Sequence, residues 1–377
     1  MKSIAHTRPQ ELKEVPIRPR ISWSSPSLGK REFVQLSRSF RALAGGRART
    51  VTLFERALSK YLGSRVISVN NGTSAILASL IAVGVSPGDR VVAPTYTFAS
   101  VVGTILTLGA KPILVDSEPE TFNMDPTAVE HLVRREKNVK ALIHVDVSGV
   151  PGDLDYLSEL SEEHGFELIE DAAEGLGTEY KHRHIGSFPH LTTFSFHPAK
   201  QMTTIEGGAI ATSDESLSER AKLIVNHGMA NTYEHVSLGL NFRLTDLQAA
   251  IGIAQLSRLD LFLERRRAIA TQYTESLSDM FRTQSIPEHV TKTGRGMFLL
   301  LASDGRQREK IIGRLSRDGI EARRPWKPVH MQPFYSSSLH GRFPIAEDIY
   351  ERVIAPPLTN LMSEDDVYRV IERIRGS

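Results

Sequence analysis

The chain of 377 residues is 40% hydrophobic and 24% charged, so it is long and apolar enough for about two domains with a large core. Its 46 basic and 44 acidic residues give a net charge of +2 and are interspersed, which provides no basic surface for nucleic acid or a membrane. The absence of cysteine excludes disulfides, thiolate catalysis and zinc–thiolate sites, and we predict no metal site.

The first twenty residues are polar and contain proline, and no stretch approaches the roughly 20 apolar residues of a membrane span. We therefore expect a cytoplasmic protein with a loosely held N-terminal arm over residues 1–25. Such an arm could cross a dimer interface.

Short β-branched or apolar runs recur between helix-like segments as far as residue 212. They predict seven strands, at 66–69, 90–93, 112–115, 139–145, 167–170, 192–196 and 209–212. Several runs are almost wholly apolar, which is typical of strands buried on both faces of a sheet. Since segments 74–83 and 126–136 are helix-like, we predict an α/β fold with a mostly parallel sheet.

Beyond residue 212 the pattern becomes helical and then mixed. It predicts helices at 216–225, 244–257, 259–278, 306–318 and 363–373, an apolar run at 297–301 and a proline-bearing loop at 325–333. We interpret the charged run at 264–267 as a solvated helix face. The expected division is a large domain over 26–258 and a smaller α+β domain over 259–377.

Polar residues with useful chemistry follow several predicted strands. The turn at 70–74 (Asn-Asn-Gly-Thr-Ser) opens a helix, so it is either a phosphate site at a helix N-terminus or an ordinary Asn-Gly turn with a capping hydroxyl. Asp171 follows the strand at 167–170, where its carboxylate could hold a pyridine nitrogen protonated or simply cap a helix.

Lys200 and Phe98 complete the set. Lys200 follows the strand at 192–196 and could form a Schiff base, although a loop lysine usually faces solvent. Phe98 could stack on a ring or belong to the core. Each signal alone is weak, but together they supply a phosphate cup, a ring stack, a pyridine partner and an amine at one sheet edge. This combination indicates pyridoxal phosphate chemistry.

From about residue 26 to residue 373 the sequence also resembles the DegT/DnrJ/EryC1/StrS sugar aminotransferases, which are fold type I pyridoxal phosphate enzymes. The resemblance rests on motifs that occur in order: 71–75 (Asn-Gly-Thr-Ser-Ala), 94–98 (Pro-Thr-Tyr-Thr-Phe), 109–112 (Gly-Ala-Lys-Pro) with Val115 and Asp116, 170–173 (Glu-Asp-Ala-Ala), 194–200 (Phe-Ser-Phe-His-Pro-Ala-Lys), 206–208 (Glu-Gly-Gly), 226–228 (Asn-His-Gly), 241–244 (Asn-Phe-Arg-Leu), 248–250 (Gln-Ala-Ala) and 326–330 (Trp-Lys-Pro-Val-His). It implies an aspartate-aminotransferase-like fold, with a seven-stranded, mostly parallel sheet and a smaller C-terminal domain.

The resemblance also implies roles at the matching positions. Lys200 is the implied catalytic Schiff-base lysine and acid/base, and Asp171 the partner of the pyridine nitrogen. The residues implied to bind pyridoxal 5'-phosphate, with pyridoxamine 5'-phosphate as its intermediate form, are Gly72, Thr73, Phe98, Asp171, Glu174, Ser195, Lys200, Asn241 and Arg243, of which the last two come from the partner subunit. The implied substrate residues are Arg324, Trp326, Lys327 and His330.

The activity implied is a transamination by a homodimer with shared sites. An amino acid, typically glutamate, gives its amine to the cofactor, and a nucleotide-linked keto sugar then accepts it. The implied acceptor is a 4-keto-6-deoxy sugar, in amino-sugar biosynthesis for a surface polysaccharide or a natural product.

Three positions depart from the pattern of the family. Glu174 stands where many relatives carry His or Gln, although glutamate also occurs in the branch that aminates the sugar C4 position. The segment 41–49 replaces an aromatic-bearing pattern that helps to line the substrate mouth. Arg324 and Pro325 stand where a Pro-Leu pair is common, which adds a cation that would suit a diphosphate or face solvent.

Other functions stay open. A dehydratase of the same fold uses pyridoxamine phosphate, but those relatives replace the lysine with histidine, and Lys200 is present here. The acceptor could instead be a cyclitol or another ketone without a nucleotide. A regulatory protein that binds the cofactor without turnover is a third reading, which the intact Lys200 and Asp171 oppose.

Overall fold

A computed structural model of the protein describes residues 21–47, 49–136, 138–339 and 341–376, so only 21–25 of the predicted arm at 1–25 can be placed and its first twenty residues lie outside the described ranges. The helices, in chain order, are α1 (Lys30–Ala44), α2 (Thr50–Leu62), α3 (Gly72–Ala82), α4 (Ser100–Thr107), α5 (Pro126–Arg135), α6 (Leu154–His164), α7 (Glu215–Val225), α8 (Asp246–Leu256), α9 (Leu259–Leu277), α10 (Gly305–Arg317), α11 (Pro344–Arg352) and α12 (Glu364–Arg375). The strands are β1 (Arg65–Val69), β2 (Arg90–Pro94), β3 (Lys111–Val115), β4 (Val139–Val145), β5 (Glu167–Asp171), β6 (Glu179–Tyr180), β7 (Arg183–His184), β8 (Leu191–Ser195), β9 (Gly208–Thr212), β10 (Met229–Asn231), β11 (Glu234–His235), β12 (Arg282–Thr283), β13 (Val290–Lys292), β14 (Leu300–Leu301) and β15 (Val353–Ile354).

The main sheet has seven strands in the order β1-β9-β8-β5-β4-β2-β3. Strand β9 runs antiparallel to β1 and β8, while the other pairings are parallel. The predicted seven-stranded, mostly parallel sheet is confirmed, and every predicted strand end lies within one residue of the observed end. The prediction succeeds because strands buried on both faces need continuous apolar runs, which are visible in the sequence.

Helices cover both faces of this sheet. Ile210 packs into one apolar core, with α3, α4 and α7, whereas its neighbours Ala209 and Ala211 pack into another, with α2 and α8. Successive strand residues point to opposite faces, so these two cores lie on opposite sides of the sheet. No helix in the described part of the chain is long and apolar enough to cross a membrane.

The C-terminal residues build a further core from α9, α10 and α12 with the small sheet β12-β14-β15. Ile21, from the segment predicted to be an arm, is buried in that core and pairs with Ile320. Helices α1, α2, α4, α6 and α11 were not predicted. The sequence of α4, Ser-Val-Val-Gly-Thr-Ile-Leu-Thr, is rich in β-branched residues and is typical of a strand by composition, so tertiary packing decides its conformation.

The interpretation of 264–267 as a solvated helix face is wrong for Arg266, which is only 4% exposed. Its Nε donates to the carbonyl of Arg295 at 2.8 Å and its Nη2 to that of Gly296 at 2.6 Å. A run of charges predicts solvent exposure only when no other part of the chain packs over it, and here the 294–297 segment does.

Candidate active site

A cavity of about 440 Å³ lies at the carboxyl edge of the main sheet. The register places the ends of β4, β5 and β8 and the start of β9 at this edge, since β9 runs the opposite way. The predicted site residues that line the cavity are Gly72, Thr73, Phe98, Asp171, Glu174, Ser195, Lys200, Arg324 and Trp326. The tertiary structure therefore brings together residues that are widely separated in the sequence.

The turn after β1 forms a polar end of the cavity. Helix α3 begins at Gly72, and Asn71 caps it by accepting a hydrogen bond from the Ser74 N–H at 2.8 Å. The N–H groups of Gly72 and Thr73 lie in the first turn, where a helix has no internal acceptor for them. A Cβ at Gly72 would lie 3.0 Å from the Cβ of Ser195, so a larger residue would force one of them to move. The free N–H groups of this turn, the hydroxyls of Thr73 and Ser195, and the close approach of the backbone at Gly72 together fit a phosphate group.

Asp171 is the last residue of β5 and is 6% exposed. Its Oδ1 accepts hydrogen bonds from the Ala173 N–H at 3.1 Å and from the Thr193 hydroxyl at 3.4 Å. Burial raises the pKa of Asp171 to about 6, although these donors and the Lys200 ammonium act in the opposite direction. A cation placed against this carboxyl group would favour its ionised form, so the position fits a protonated ring nitrogen.

Lys200 and Glu174 form an ion pair inside the cavity. Their side chains are 16% and 8% exposed, so the pair is largely shielded from water. The side-chain amide of Gln201 donates to the backbone carbonyl of Glu174, which helps to fix the turn after β5. An amine held beside a carboxylate in a shielded cleft can accept, hold and return a proton.

Sequence reasoning missed Asp146, which also lines the cavity. It directly follows β4, is fully buried, and neither of its oxygens accepts a hydrogen bond from an N–H or hydroxyl group of the described residues. Its Oδ1 lies 3.6 Å from Nε2 of His144, which already accepts the Gly152 N–H. Burial and the nearby carboxylates of Glu170 and Asp171 raise the pKa of Asp146 well above its usual value. These surroundings favour the neutral form of Asp146. Its position after a strand at this edge was the signal that could have identified it.

Trp23 is a second lining residue that sequence reasoning missed. Its backbone N–H donates to Glu321 at 3.2 Å, and the guanidinium of Arg323 lies 4.4 Å from the centre of its ring. Trp23 lies in the segment predicted to be a loose arm. A single tryptophan among polar residues was the signal that could have indicated a buried or binding role there. The segment instead contributes to the wall of the cavity.

Four predicted site residues lie outside the cavity wall: Asn241, Arg243, Lys327 and His330. Both ring nitrogens of His330 have protein neighbours, the Thr95 hydroxyl at 2.6 Å from Nδ1 and Glu347 at 3.2 Å from Nε2. Asn241 and Arg243 are exposed on this chain. Their roles stay predictions.

The two segments that depart from the family pattern, 41–49 and 324–325, lie in different positions relative to the cavity. Arg324 lines the cavity, but its Nε donates to the Tyr350 carbonyl at 2.7 Å and its Nη2 to Glu351 at 3.0 Å. Its guanidinium also lies 3.4 Å from the centre of the Tyr350 ring, so this cation is held towards α11. The described residues of 41–49, which exclude Ala48, include the end of α1 and do not line the cavity of this chain.

Comparison with known proteins gives a consistent result. The model of the DegT/DnrJ/EryC1/StrS aminotransferase family matches residues 28–375. GDP-perosamine synthase of Caulobacter vibrioides is 34% identical over 94% of this chain and 97% of its own length, and that of Escherichia coli O157:H7 is 36% identical over 81% and 84%. The crystal structure of an aminotransferase, TlmJ from Streptoalloteichus hindustanus, superimposes with a TM-score of 0.87 at 30% identity, covering 94% of this chain and 98% of that one.

Proposed function

Because this chain belongs to the DegT/DnrJ/EryC1/StrS aminotransferase family, we propose that it transfers the amino group of glutamate to a nucleotide-linked 4-keto-6-deoxy sugar. The protein is a pyridoxal-phosphate-dependent sugar aminotransferase, and the proposal concerns its donor and acceptor. Relatives named GDP-perosamine synthase support a nucleotide-linked acceptor, since that name pairs a nucleoside diphosphate with an amino sugar. The product would serve amino-sugar biosynthesis for a surface polysaccharide or a natural product.

The observation that carries the proposal is the shielded Lys200–Glu174 pair at the same sheet edge as Asp171. A glutamate at position 174 agrees with amination at the sugar C4 position, which is the branch that the sequence resemblance favours. Arg323 and Arg324 also line the cavity, and a diphosphate would bind them in competition with the Glu321 and Glu351 carboxylates that now pair with them.

The residues would divide the work as follows. Pyridoxal phosphate supplies an aldehyde that takes up the amine and a ring that stabilises the charge left when a neighbouring carbon loses its proton. Lys200 removes and returns that proton through Nζ, and Glu174 accepts the hydrogen bond of the ammonium form. Asp171 would keep the ring nitrogen protonated, Phe98 would stack on the ring, and the first turn of α3 would hold the phosphate.

We also propose that the enzyme is a homodimer with shared sites. Phe33 and Phe40 on α1 are 70% and 64% exposed, and Tyr233 and Leu238, in and beyond the β10–β11 hairpin, are 87% and 74% exposed. Phe98, at the cavity itself, is 61% exposed. Large apolar side chains exposed in this number favour burial against a second copy, which would bring Asn241 and Arg243 of the partner subunit to the cavity.

A panel of ketones tests the acceptor. The enzyme is first converted to its amine-bearing form with glutamate, and keto nucleotide sugars and keto cyclitols are then compared by the mass of the aminated product. We expect amination of a 4-keto-6-deoxy nucleotide sugar; reaction with a cyclitol alone would show that the proposed substrate class is wrong.

The Lys200→Ala variant tests the role of the lysine. It should lose the visible absorbance of covalently held cofactor, and its half-reaction rate should fall by at least about a thousandfold. The control variant Lys111→Ala, which changes an exposed lysine, should keep both the absorbance and the rate.

A further inference from the structure

Arg266 is a buried cation on α9 that lies outside the cavity wall. No carboxylate of the described residues lies close enough to form a salt bridge with it, and its hydrogen bonds go to the carbonyls of Arg295 and Gly296. Burying a charge without an ion-pair partner is costly, so a favourable interaction elsewhere must offset it.

The segment that Arg266 holds packs directly on Glu174. A Cβ at Gly296 would lie 2.6 Å from both the Cβ and the carbonyl oxygen of Glu174, and it would overlap the Glu174 carboxylate. The Gly296 N–H donates to the Ser148 carbonyl at 3.0 Å, which anchors the segment from the other side. Only glycine fits this close approach. The position of Glu174 thus depends on where Arg266 holds residues 294–297.

Electrostatics connects the same two residues. Burial lowers the pKa of Arg266 to about 10, and the negative charge that opposes this shift is that of Glu174. Among the described residues, Lys200 also forms an ion pair with Glu174, and the charge of Glu174 also acts on the Asp171 carboxyl group. Arg266 is therefore a second positive charge that interacts with Glu174, in addition to the Lys200 ammonium.

We propose that Arg266 is a positioning residue for transamination: it holds the 294–297 segment against Glu174 and supplies the buried positive charge that balances the Glu174 carboxylate. The inference rests on the roles proposed above for Lys200 and Glu174. Arg266 itself touches neither the cavity nor a reacting atom, so it acts through Glu174.

Substitutions separate the charge from the hydrogen bonds. Arg266→Gln removes the charge, and Arg266→Lys keeps it but loses the planar group that reaches two carbonyls. Arg267→Gln is the matched control, since Arg267 is the next residue on α9 and donates to the carbonyl of Thr293 at 3.2 Å. Glu174→Gln removes the carboxylate on which the effect should depend.

The first measurement is the absorbance of bound cofactor as a function of pH, without substrate, together with the pH profile of the glutamate half-reaction. In Arg266→Gln we expect the acid limb of both pH curves to move to higher pH by about one unit, because the loss of a buried positive charge makes protonation of the site easier. The rate at pH 7 should fall roughly tenfold. Arg266→Lys should keep the position of the limb with a lower rate, and Arg267→Gln should match the wild type. A limb in Arg266→Gln that matches the wild type would overturn the inference, as would full activity of Arg266→Lys.

The second measurement is a double-mutant cycle, scored both by the half-reaction rate and by the urea midpoint of cofactor-free protein. We expect Arg266→Gln to add little to Glu174→Gln, because the carboxylate that it serves is gone. If the two factors simply multiply in the double variant, Arg266 acts independently of Glu174 and the inference fails. If Arg266→Gln does not fold, the inference is tested instead by the rate of Arg266→Lys and by a double-mutant cycle that combines Arg266→Lys with Glu174→Gln. The absorbance titration needs no acceptor sugar, so a wrong acceptor would leave this test intact.

Discussion

Two aspartates at the same sheet edge differ in what surrounds them. Asp171 receives hydrogen bonds from the Ala173 N–H and the Thr193 hydroxyl, and its pKa is raised only to about 6. Asp146 receives none from such donors and faces two further carboxyl groups, so its pKa is raised well above the usual range. Asp171 can therefore ionise beside a cation, whereas the surroundings of Asp146 favour its neutral form.

We predict that Asp146→Asn stabilises the cofactor-free protein at neutral and alkaline pH. A carboxyl group with a raised folded-state pKa stabilises fully only below its unfolded value near 3.8, and this stability is lost as pH rises. Asparagine does not ionise, so we expect the free energy of unfolding of the variant to exceed that of the wild type at pH 8 and to come close to it at pH 4. Urea unfolding from pH 4 to 8 checks this, with the exposed Asp365→Asn as a control. A variant that is less stable than the wild type at pH 8 would show that Asp146 is ionised and useful there.

At the scale of elements, the first turn of α3 depends on its contact with the end of β8. Gly72 begins the helix, and its ideal Cβ position lies 3.0 Å from the Cβ of Ser195. Alanine is the better helix former, so intrinsic helix propensity alone would favour it at this position. The close approach decides against alanine, because either the turn or Ser195 must move.

We predict that Gly72→Ala weakens cofactor binding about tenfold with little loss of stability, because it shifts the N–H groups that face the phosphate. Titration of apoenzyme with pyridoxal phosphate, followed by absorbance, measures this. Gly313→Ala is the matched control, since a Cβ there meets only the Arg317 guanidinium at 3.8 Å. The control should bind normally and gain up to about 1 kcal/mol of stability from helix propensity. Unchanged affinity in Gly72→Ala would argue against a phosphate at this turn.

At the scale of the whole molecule, the cavity is formed jointly by distant parts of the chain. The sheet edge supplies Asp146, Asp171 and Lys200, while the C-terminal part supplies residues 323–326 and the N-terminal segment supplies Trp23. Phe98 remains largely exposed on one side of the cavity. The site of a single chain is therefore open where the proposed second copy would contact it.

We predict that Phe40→Glu produces a monomer without transaminase activity, because it places a charge in the proposed interface. Light scattering measures the mass, and the glutamate half-reaction measures the activity. Leu361→Glu is the control, since Leu361 is also exposed, at 55%, but lies near the start of α12. A wild-type enzyme that is monomeric and active would contradict the shared-site arrangement.

The amino-acid sequence alone determined the strands of the main sheet and the polar residues that follow them. Both are local signals: an apolar run predicts a buried strand, and residues at the ends of parallel strands meet at one edge. This is why the sequence pattern is sufficient to assign Lys200, Asp171, Phe98 and the turn at Gly72 to one site.

The tertiary structure alone decided which charges are buried. Arg266 belongs to a charged run and Asp146 follows a strand like other edge residues, so neither has a local pattern that marks it as buried. Their burial arises from parts of the chain that are distant in sequence: the 294–297 segment packs over Arg266, and the turn at Gly175 packs against Asp146, where a Cβ would lie 3.2 Å from Oδ2. Long-range packing of this kind decides how far each charged group is removed from water and which charges lie beside it. Both effects shift the pKa values of buried groups, so they affect the protonation of the groups around Lys200.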